Sequence, residues 1–178
     1  MTDADPTGPA DDAVERRLGR RLRESGETLA VAESLTGGLV GSLVTDVPGS
    51  SDYFDRSVVA YSNDAKLDCL GVSRESLDAH GAVSAPVARE MAQGARDAAG
   101  TTWGLATTGI AGPTGGNEAK PVGTVFVAVA YAGDWGTQES YSTVSRYEFD
   151  GDRTAIKAQI ARQALEDLLG EVESRDGE

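Results

Sequence analysis

Residues 28–49 read TLAVAESLTGGLVGSLVTDVPG, and the fold turns on them. Thr28 to Ala32 is a short apolar run of the kind that makes a buried strand. Gly37 and Gly38 break the run, and Leu39, Leu43 and Val47 then recur every four residues, the spacing of one helical face. Thr36 is the expected N-cap, and Pro48-Gly49 the expected stop. A strand that feeds a helix through a tight glycine-containing turn is the entry unit of an α/β sheet.

Upstream, Val14, Leu18 and Leu22 put one apolar stripe on a helix over residues 12–25, ended near Gly26. Downstream, Tyr53 to Tyr61 reads as a second strand, Asn63 to Leu70 and Arg74 to Ala79 as short helices, and Ser84 to Ala99 as a longer amphipathic helix opened by Ser84 and Pro86. Trp103 to Thr107 is a third strand. Gly109, Gly112, Gly115 and Gly116 with Pro113 and Pro121 then make residues 109–121 too irregular for a regular element. Val122 to Ala132 and Gln138 to Phe149 alternate as two long strands joined through residues 133–136, and Arg153 to Leu169 is a closing helix. Helix and strand alternate up to the third strand and a hairpin follows. The expected fold is therefore a three-layer α/β/α sandwich around a mixed, mostly parallel five-stranded sheet with one antiparallel member.

The 178 residues are 39% hydrophobic and 25% charged, enough for one core and too few for two domains of ordinary size. Residues 1–11 read as a disordered acidic tail, 12–170 as the single domain and 171–178 as a polar tail. With 29 acidic against 16 basic residues the net charge is -13, which disfavours a nonspecific binder of nucleic acid or anionic membrane. Only Lys66, Lys120 and Lys157 are lysines, a skew that fits a chain kept soluble at high salt. At molar salt the Debye length is about 3 Å, so only cations in direct contact would matter to an anionic ligand. There is no signal-peptide pattern and no apolar run of membrane-spanning length, so a cytoplasmic protein is expected. A single cysteine, Cys69, and a single histidine, His80, leave no intrachain disulfide, no Cys/His metal cluster and no Ser-His-Asp site away from His80.

Ligands of α/β sheets bind where strand ends meet helix starts, and three segments fit that description. In the first, Ala32 to Gly38, the glycines let N–H groups approach an anion, while Ser34 and Thr36 can equally be read as helix caps. In the second, Tyr61 to Lys66, a scarce lysine sits one turn into a helix against the dipole; it is either functional or a solvated surface lysine. The third, Thr107 to Gly116 with Lys120 and Pro121, can present N–H donors to a phosphate or oxyanion, or be a surface connection. His80 reads as a cap before Gly81, Cys69 as a small packed hydrophobe, and Trp103 and Trp135 as core or edge residues.

The strings AESLTGGL (32–39), VPGSS (47–51), YSNDAK (61–66), LGV (70–72), HGAVS (80–84), TGIAGPTGG (108–116) and KPVGTV (120–125) occur in this order. Together they resemble the CinA C-terminal family of competence/damage-inducible proteins, over residues 12–170. The resemblance implies the three-layer fold, in the stand-alone form, and nicotinamide-nucleotide amidase activity: nicotinamide mononucleotide and water give nicotinate mononucleotide and ammonia. The family's reactive serine falls on Ser34 and its lysine on Lys66, with Tyr61 and Thr108 as hydroxyls that relay the proton or hold the amide. Glu33, Thr36, Gly37, Gly38, Gly109, Gly112, Gly115 and Arg153 are assigned to substrate binding. Ser57 departs from a frequent glycine, and Lys157 from a frequent arginine. Neither metal nor cofactor is implied, the expected partner is the small nucleotide substrate, and a homo-oligomer is expected. A lysine acts as general base only where burial or nearby cations bring its pKa down toward neutrality. The competing reading is a non-catalytic nucleotide-binding or regulatory module.

Overall fold

The computed structural model describes residues 10–176, so most of the segment read as an acidic tail lies outside the described residues. The elements are α1 (Val14–Ser25), β1 (Leu29–Glu33), α2 (Leu39–Thr45), a 3-10 turn (Ser50–Asp52), β2 (Phe54–Val59), α3 (Asn63–Leu70), α4 (Arg74–His80), α5 (Ala85–Ala99), β3 (Trp103–Gly109), β4 (Thr124–Tyr131), β5 (Tyr141–Glu148) and α6 (Arg153–Asp176). The strands form one sheet in the order β2-β1-β3-β4-β5. β1 is parallel to β2 and β3, and β4 is antiparallel to β3 and β5, so β4 alone opposes the other four. This is the mixed three-layer sandwich that the alternating pattern predicts.

The period-2 alternation sends large and small side chains to opposite faces. Leu29 and Val31 of β1, Leu105 of β3 and Val127 and Val129 of β4 meet Leu18 and Leu22 of α1, Val40 of α2 and Ile160, Leu165 and Leu168 of α6. Each fully buried side chain of this size contributes about 1.5–3 kcal/mol. On the other face Ala30, Ala32, Ala106, Ala128 and Ala130 pack under Met91 and Val87 of α5, with Leu70 and Leu77 from α3 and α4. Alanine on that face brings the helices close to the sheet. Gly94 of α5 runs against the Leu70 carbonyl so closely that any Cβ there would overlap it.

Serine side chains start three helices: Ser62 accepts from the Ala65 N–H, Ser73 from the Ser76 N–H and Ser84 from the Val87 N–H. Three readings of the sequence need correction. Residues 171–176 are no tail, because α6 continues to Asp176, and the last two residues of that segment lie outside the described residues. Val172 is buried there, and Glu171 accepts hydrogen bonds from Tyr141 Oη (2.9 Å) and Thr143 Oγ1 (3.1 Å), so β5 holds the polar end of the helix. Cys69 is exposed rather than packed. Trp103 is buried with its Nε1–H donated to Glu27, but Trp135 is wholly exposed in the hairpin connection, because β4 and β5 stop pairing at Tyr131 and Tyr141. Among the described residues no helix is long and apolar enough to cross a membrane.

Candidate active site

The parallel strands β1, β2 and β3 end on the same edge of the sheet, and the residues that follow them surround a cavity of about 290 Å³. Its lining includes Ser34 after β1, Tyr61 after β2, Lys66 in α3, Thr108 near the end of β3, the loop residues Gly109, Gly112 and Gly115, and Arg153 at the start of α6. A larger concavity of about 760 Å³, bordered by Arg96, Asp97 and Trp135, lies at the opposite edge of the sheet. The titratable pair there, Arg96 and Asp97, is already satisfied by its own 2.8 Å contact.

Lys66 is almost fully buried, at 1% exposure. Its Nζ lies 3.1 Å from Ser34 Oγ, 3.0 Å from the Ala60 carbonyl and 3.2 Å from the Tyr61 carbonyl. None of these partners is a carboxylate. Burial without a counter-ion penalises the ammonium, and desolvation holds the Lys66 pKa below the ordinary lysine value of 10.5. The three contacts also fit the neutral amine: two N–H bonds go to the two carbonyls, which can only accept, and the lone pair faces the Ser34 hydroxyl. Such an amine can take the serine proton. The α3 helix makes the geometry possible, since Ser62 caps it and Lys66 stands one turn in, from where its Nζ reaches the Ala60 and Tyr61 carbonyls just past the end of β2.

The start of α2 is built differently from the expectation. The Glu33 carboxylate is completely buried and accepts five hydrogen bonds: from Thr36 Oγ1 (2.7 Å), Gly38 N (3.0 Å) and Val40 N (3.1 Å) on one oxygen, and from Gly41 N (2.8 Å) and Ser57 Oγ (2.8 Å) on the other. Glu33, not Thr36, therefore caps the helix, and the N-cap position is Gly38. The N–H groups that were expected to meet a phosphate are already spent on this carboxylate. Glu33, Thr36, Gly37 and Gly38 do not line the cavity. Thr36 also pairs with Thr107 at 2.8 Å; its single proton goes to Glu33, so Thr107 is the donor. The result is a rigid base beneath Ser34, whose own N–H donates to the Thr107 carbonyl.

The other predicted residues meet at the cavity with distinct environments. Tyr61 is 62% exposed at the mouth, where its Oη accepts from Arg153 Nη2 at 3.1 Å; only its backbone carbonyl reaches Lys66. Arg153 Nη1 donates to the Gly112 carbonyl at 2.7 Å, so both its partners are neutral and its charge has no ion-pair partner among the described residues. The N–H groups of Leu35, Ala111, Gly112 and Gly115 donate to no acceptor among the described residues, and all four residues line the cavity. Thr108 is buried and its Oγ1 donates to the Ala82 carbonyl at 2.8 Å. His80 is exposed, and it is its carbonyl that is engaged, accepting from Lys120 Nζ at 3.1 Å. Residue reading overlooked Ala60, Ala82 and Val83, which act through backbone carbonyls or as cavity wall and carry no side-chain chemistry to mark them. Lys157 stands beside Gly37.

The sequence profile of the CinA C-terminal domain matches residues 11–172. A CinA-like protein of Salinibacter ruber is 50% identical over 163 residues, covering 92% of this chain and 38% of its own length. One from Desulfosudis oleivorans is 51% identical over 156 residues, covering 88% of this chain and 36% of its own. The chain thus spans little more than a third of these curated relatives. Among solved structures, a CinA superfamily protein from Klebsiella pneumoniae superposes with a TM-score of 0.82 at 33% identity, covering 90% of this chain and 96% of that one. The competence/damage-inducible protein CihA from Agrobacterium tumefaciens gives 0.80 at 39% identity, covering 92% and 96%. A profile match over nearly the whole described chain, relatives at half identity and the same fold agree: the chain belongs to the CinA C-terminal domain family.

Proposed function

We propose that the protein is a nicotinamide-nucleotide amidase that hydrolyses the carboxamide of nicotinamide mononucleotide. The observation that carries this reading is the 3.1 Å contact between Ser34 Oγ and a buried, charge-unpaired Lys66 Nζ. Neutral Lys66 takes the Ser34 proton as Oγ attacks the carboxamide carbon, and the resulting lysine ammonium returns that proton to the nitrogen as ammonia leaves. Water then attacks the acyl-Ser34 ester and gives one proton to Lys66, which passes it to the departing Ser34 Oγ; the acid released ionises to the carboxylate, and both the serine hydroxyl and the neutral lysine are restored. The Leu35 N–H, next to Ser34 and without an acceptor among the described residues, is the donor for the developing oxyanion.

The nucleotide part of the substrate rests on the family resemblance and on the mouth of the cavity. Arg153 has no ion-pair partner among the described residues, and the loop that carries Ala111, Gly112 and Gly115 offers N–H groups without an acceptor among those residues, a pairing suited to a phosphate. The test is ammonia release from nicotinamide mononucleotide, nicotinamide riboside and nicotinamide. The mononucleotide is expected to be turned over fastest by a wide margin. Equal rates on all three would remove the phosphate role of Arg153, and binding of the mononucleotide without ammonia release would make the protein a nucleotide-binding module.

A further inference from the structure

Apart from Tyr61 at the mouth, the only ionisable side chains that line the cavity are Lys66 and Arg153; among the described residues no aspartate or glutamate lines it. The charged groups of the surrounding elements are engaged elsewhere or exposed. Glu33 is held by its five donors at the start of α2, and Glu90 of α5 accepts from Ser73 Oγ (3.1 Å) and Ser76 Oγ (2.6 Å). Asp97 pairs with Arg96 and Asp55 with Arg56, while Arg89 of α5 and Asp64 and Asp68 of α3 itself are exposed. Two influences therefore act on Lys66 in opposite directions. Burial disfavours its ammonium, whereas the Ala60 and Tyr61 carbonyls, at 3.0 and 3.2 Å, accept more strongly from an ammonium than from an amine.

A nicotinamide nucleotide brings a third influence. Its pyridinium ring is a fixed positive charge a few bonds from the carboxamide, and the carboxamide must lie against Ser34 Oγ, which is 3.1 Å from Lys66 Nζ. With no carboxylate in the wall to neutralise it, the ring charge acts directly on the lysine. At a separation of roughly 6–8 Å and an effective dielectric of about 20, two unit charges displace a titration by about 1.5–2 pH units, and the phosphate, farther off and matched by Arg153, returns only part of this. We infer that the substrate completes its own catalyst: on binding, the pyridinium charge expels the ammonium proton of Lys66 to solvent and leaves the neutral amine, whereas a dihydropyridine nucleotide, with the same carboxamide and phosphate but an uncharged ring, does not. This discrimination by the redox state of the ring rests on the amidase reading and deepens it, since the oxidised nucleotide alone generates the base that attacks it.

Proton release on binding, measured without turnover, tests this. Ser34→Ala protein, which cannot turn the amide over, is titrated calorimetrically with nicotinamide mononucleotide and with its dihydro form, in buffers of different ionisation enthalpy from about pH 6.5 to about pH 9.5. The measured quantity is the difference in protons released by the two nucleotides, in which the titration of the phosphate, common to both, cancels. The difference should rise to about half a proton per site in the window where Lys66 titrates and fall away on either side of it. It should vanish in Ser34→Ala combined with Lys66→Met. Should that combined variant fail to fold, the two nucleotides on the Ser34→Ala protein decide the matter alone. Equal release by both nucleotides at every pH, or a difference that survives Lys66→Met, would overturn the inference, while the amidase reading stands. If neither nucleotide binds the Ser34→Ala protein, the amidase reading falls and takes this inference with it.

Discussion

Replacing Lys66 by methionine should change the pH dependence of stability, and the sign follows from its surroundings. The ammonium is buried among two carbonyls and a hydroxyl with no carboxylate, and desolvation depresses its pKa. In the unfolded chain the side chain regains the ordinary value of 10.5. Between the depressed folded value and 10.5 the unfolded state therefore binds a proton that the folded state lacks, so the Lys66 protein becomes more stable as pH rises through that window. The slope is at most about 1.4 kcal/mol per pH unit, and it vanishes below the folded value and above the unfolded one. Lys66→Met lacks this slope. It also loses the hydrogen bonds to the Ala60 and Tyr61 carbonyls, a nearly constant cost of about 1 kcal/mol for each bond. The difference in unfolding free energy, wild type minus Lys66→Met, should accordingly climb with pH on the alkaline side of neutrality. Urea unfolding followed by the fluorescence of buried Trp103 at a series of pH values measures it. Tyr53, Tyr141 and Tyr147, whose hydroxyls burial pushes up, affect both proteins alike and cancel in the difference. A difference that stays flat across the series would mean that Lys66 titrates like a solvated lysine, and the argument for a neutral base would collapse.

Glu33→Gln keeps the shape of the α2 cap but turns one accepting oxygen into a donor, leaving at least one of the Gly38, Val40 or Gly41 N–H groups facing an NH2. The unfolding free energy should fall by about 2–4 kcal/mol, and an unchanged urea midpoint would show that these donors find another acceptor. Arg153→Met should raise KM for nicotinamide mononucleotide roughly 10- to 100-fold with little change in kcat, and should leave the KM for free nicotinamide alone; steady-state kinetics on both substrates decides it. Gly94→Ala should destabilise by about 1–3 kcal/mol without touching the site, because the new Cβ must push α5 away from the Leu70 carbonyl; a denaturation curve with the wild-type midpoint would contradict it.

The fold was legible because its determinants are periodic. Leu29, Ala30, Val31 and Ala32 alternate by face, and Leu18 and Leu22 or Ile160 and Leu168 repeat by turn, so each element announces its type within a short window. Elements held by polar contacts announce nothing, which is why α6 runs past its apparent end: Glu171 and Arg175 are anchored by Tyr141 and Tyr131 from distant strands, and a sequence window sees only charge. The same limit acts at the site. Ser34 and Thr108 stand at strand ends and Lys66 and Arg153 near helix starts, and all four carry the right chemistry, so they could be nominated from the sequence. Glu33 could be nominated just as easily, and nothing local says that its carboxylate turns inward to meet Gly41 and Ser57. Backbone groups such as the Ala60 and Ala82 carbonyls have no sequence signature, yet they orient Lys66 and Thr108. Trp135 reads as an aromatic at a strand border and is exposed because the pairing of β4 and β5 ends short of it.

That Ser34 and Lys66 act as one unit is tested most directly by ammonia release from nicotinamide mononucleotide in Ser34→Ala, Lys66→Ala and the double variant, beside the wild type. Each single substitution should lower turnover by roughly 10³-fold or more, and the double should be little worse than the poorer single, because losing either member already abolishes nucleophilic attack. Multiplying losses in the double variant, or a Lys66→Ala protein that retains near-normal turnover, would show that the lysine is not the base for this serine.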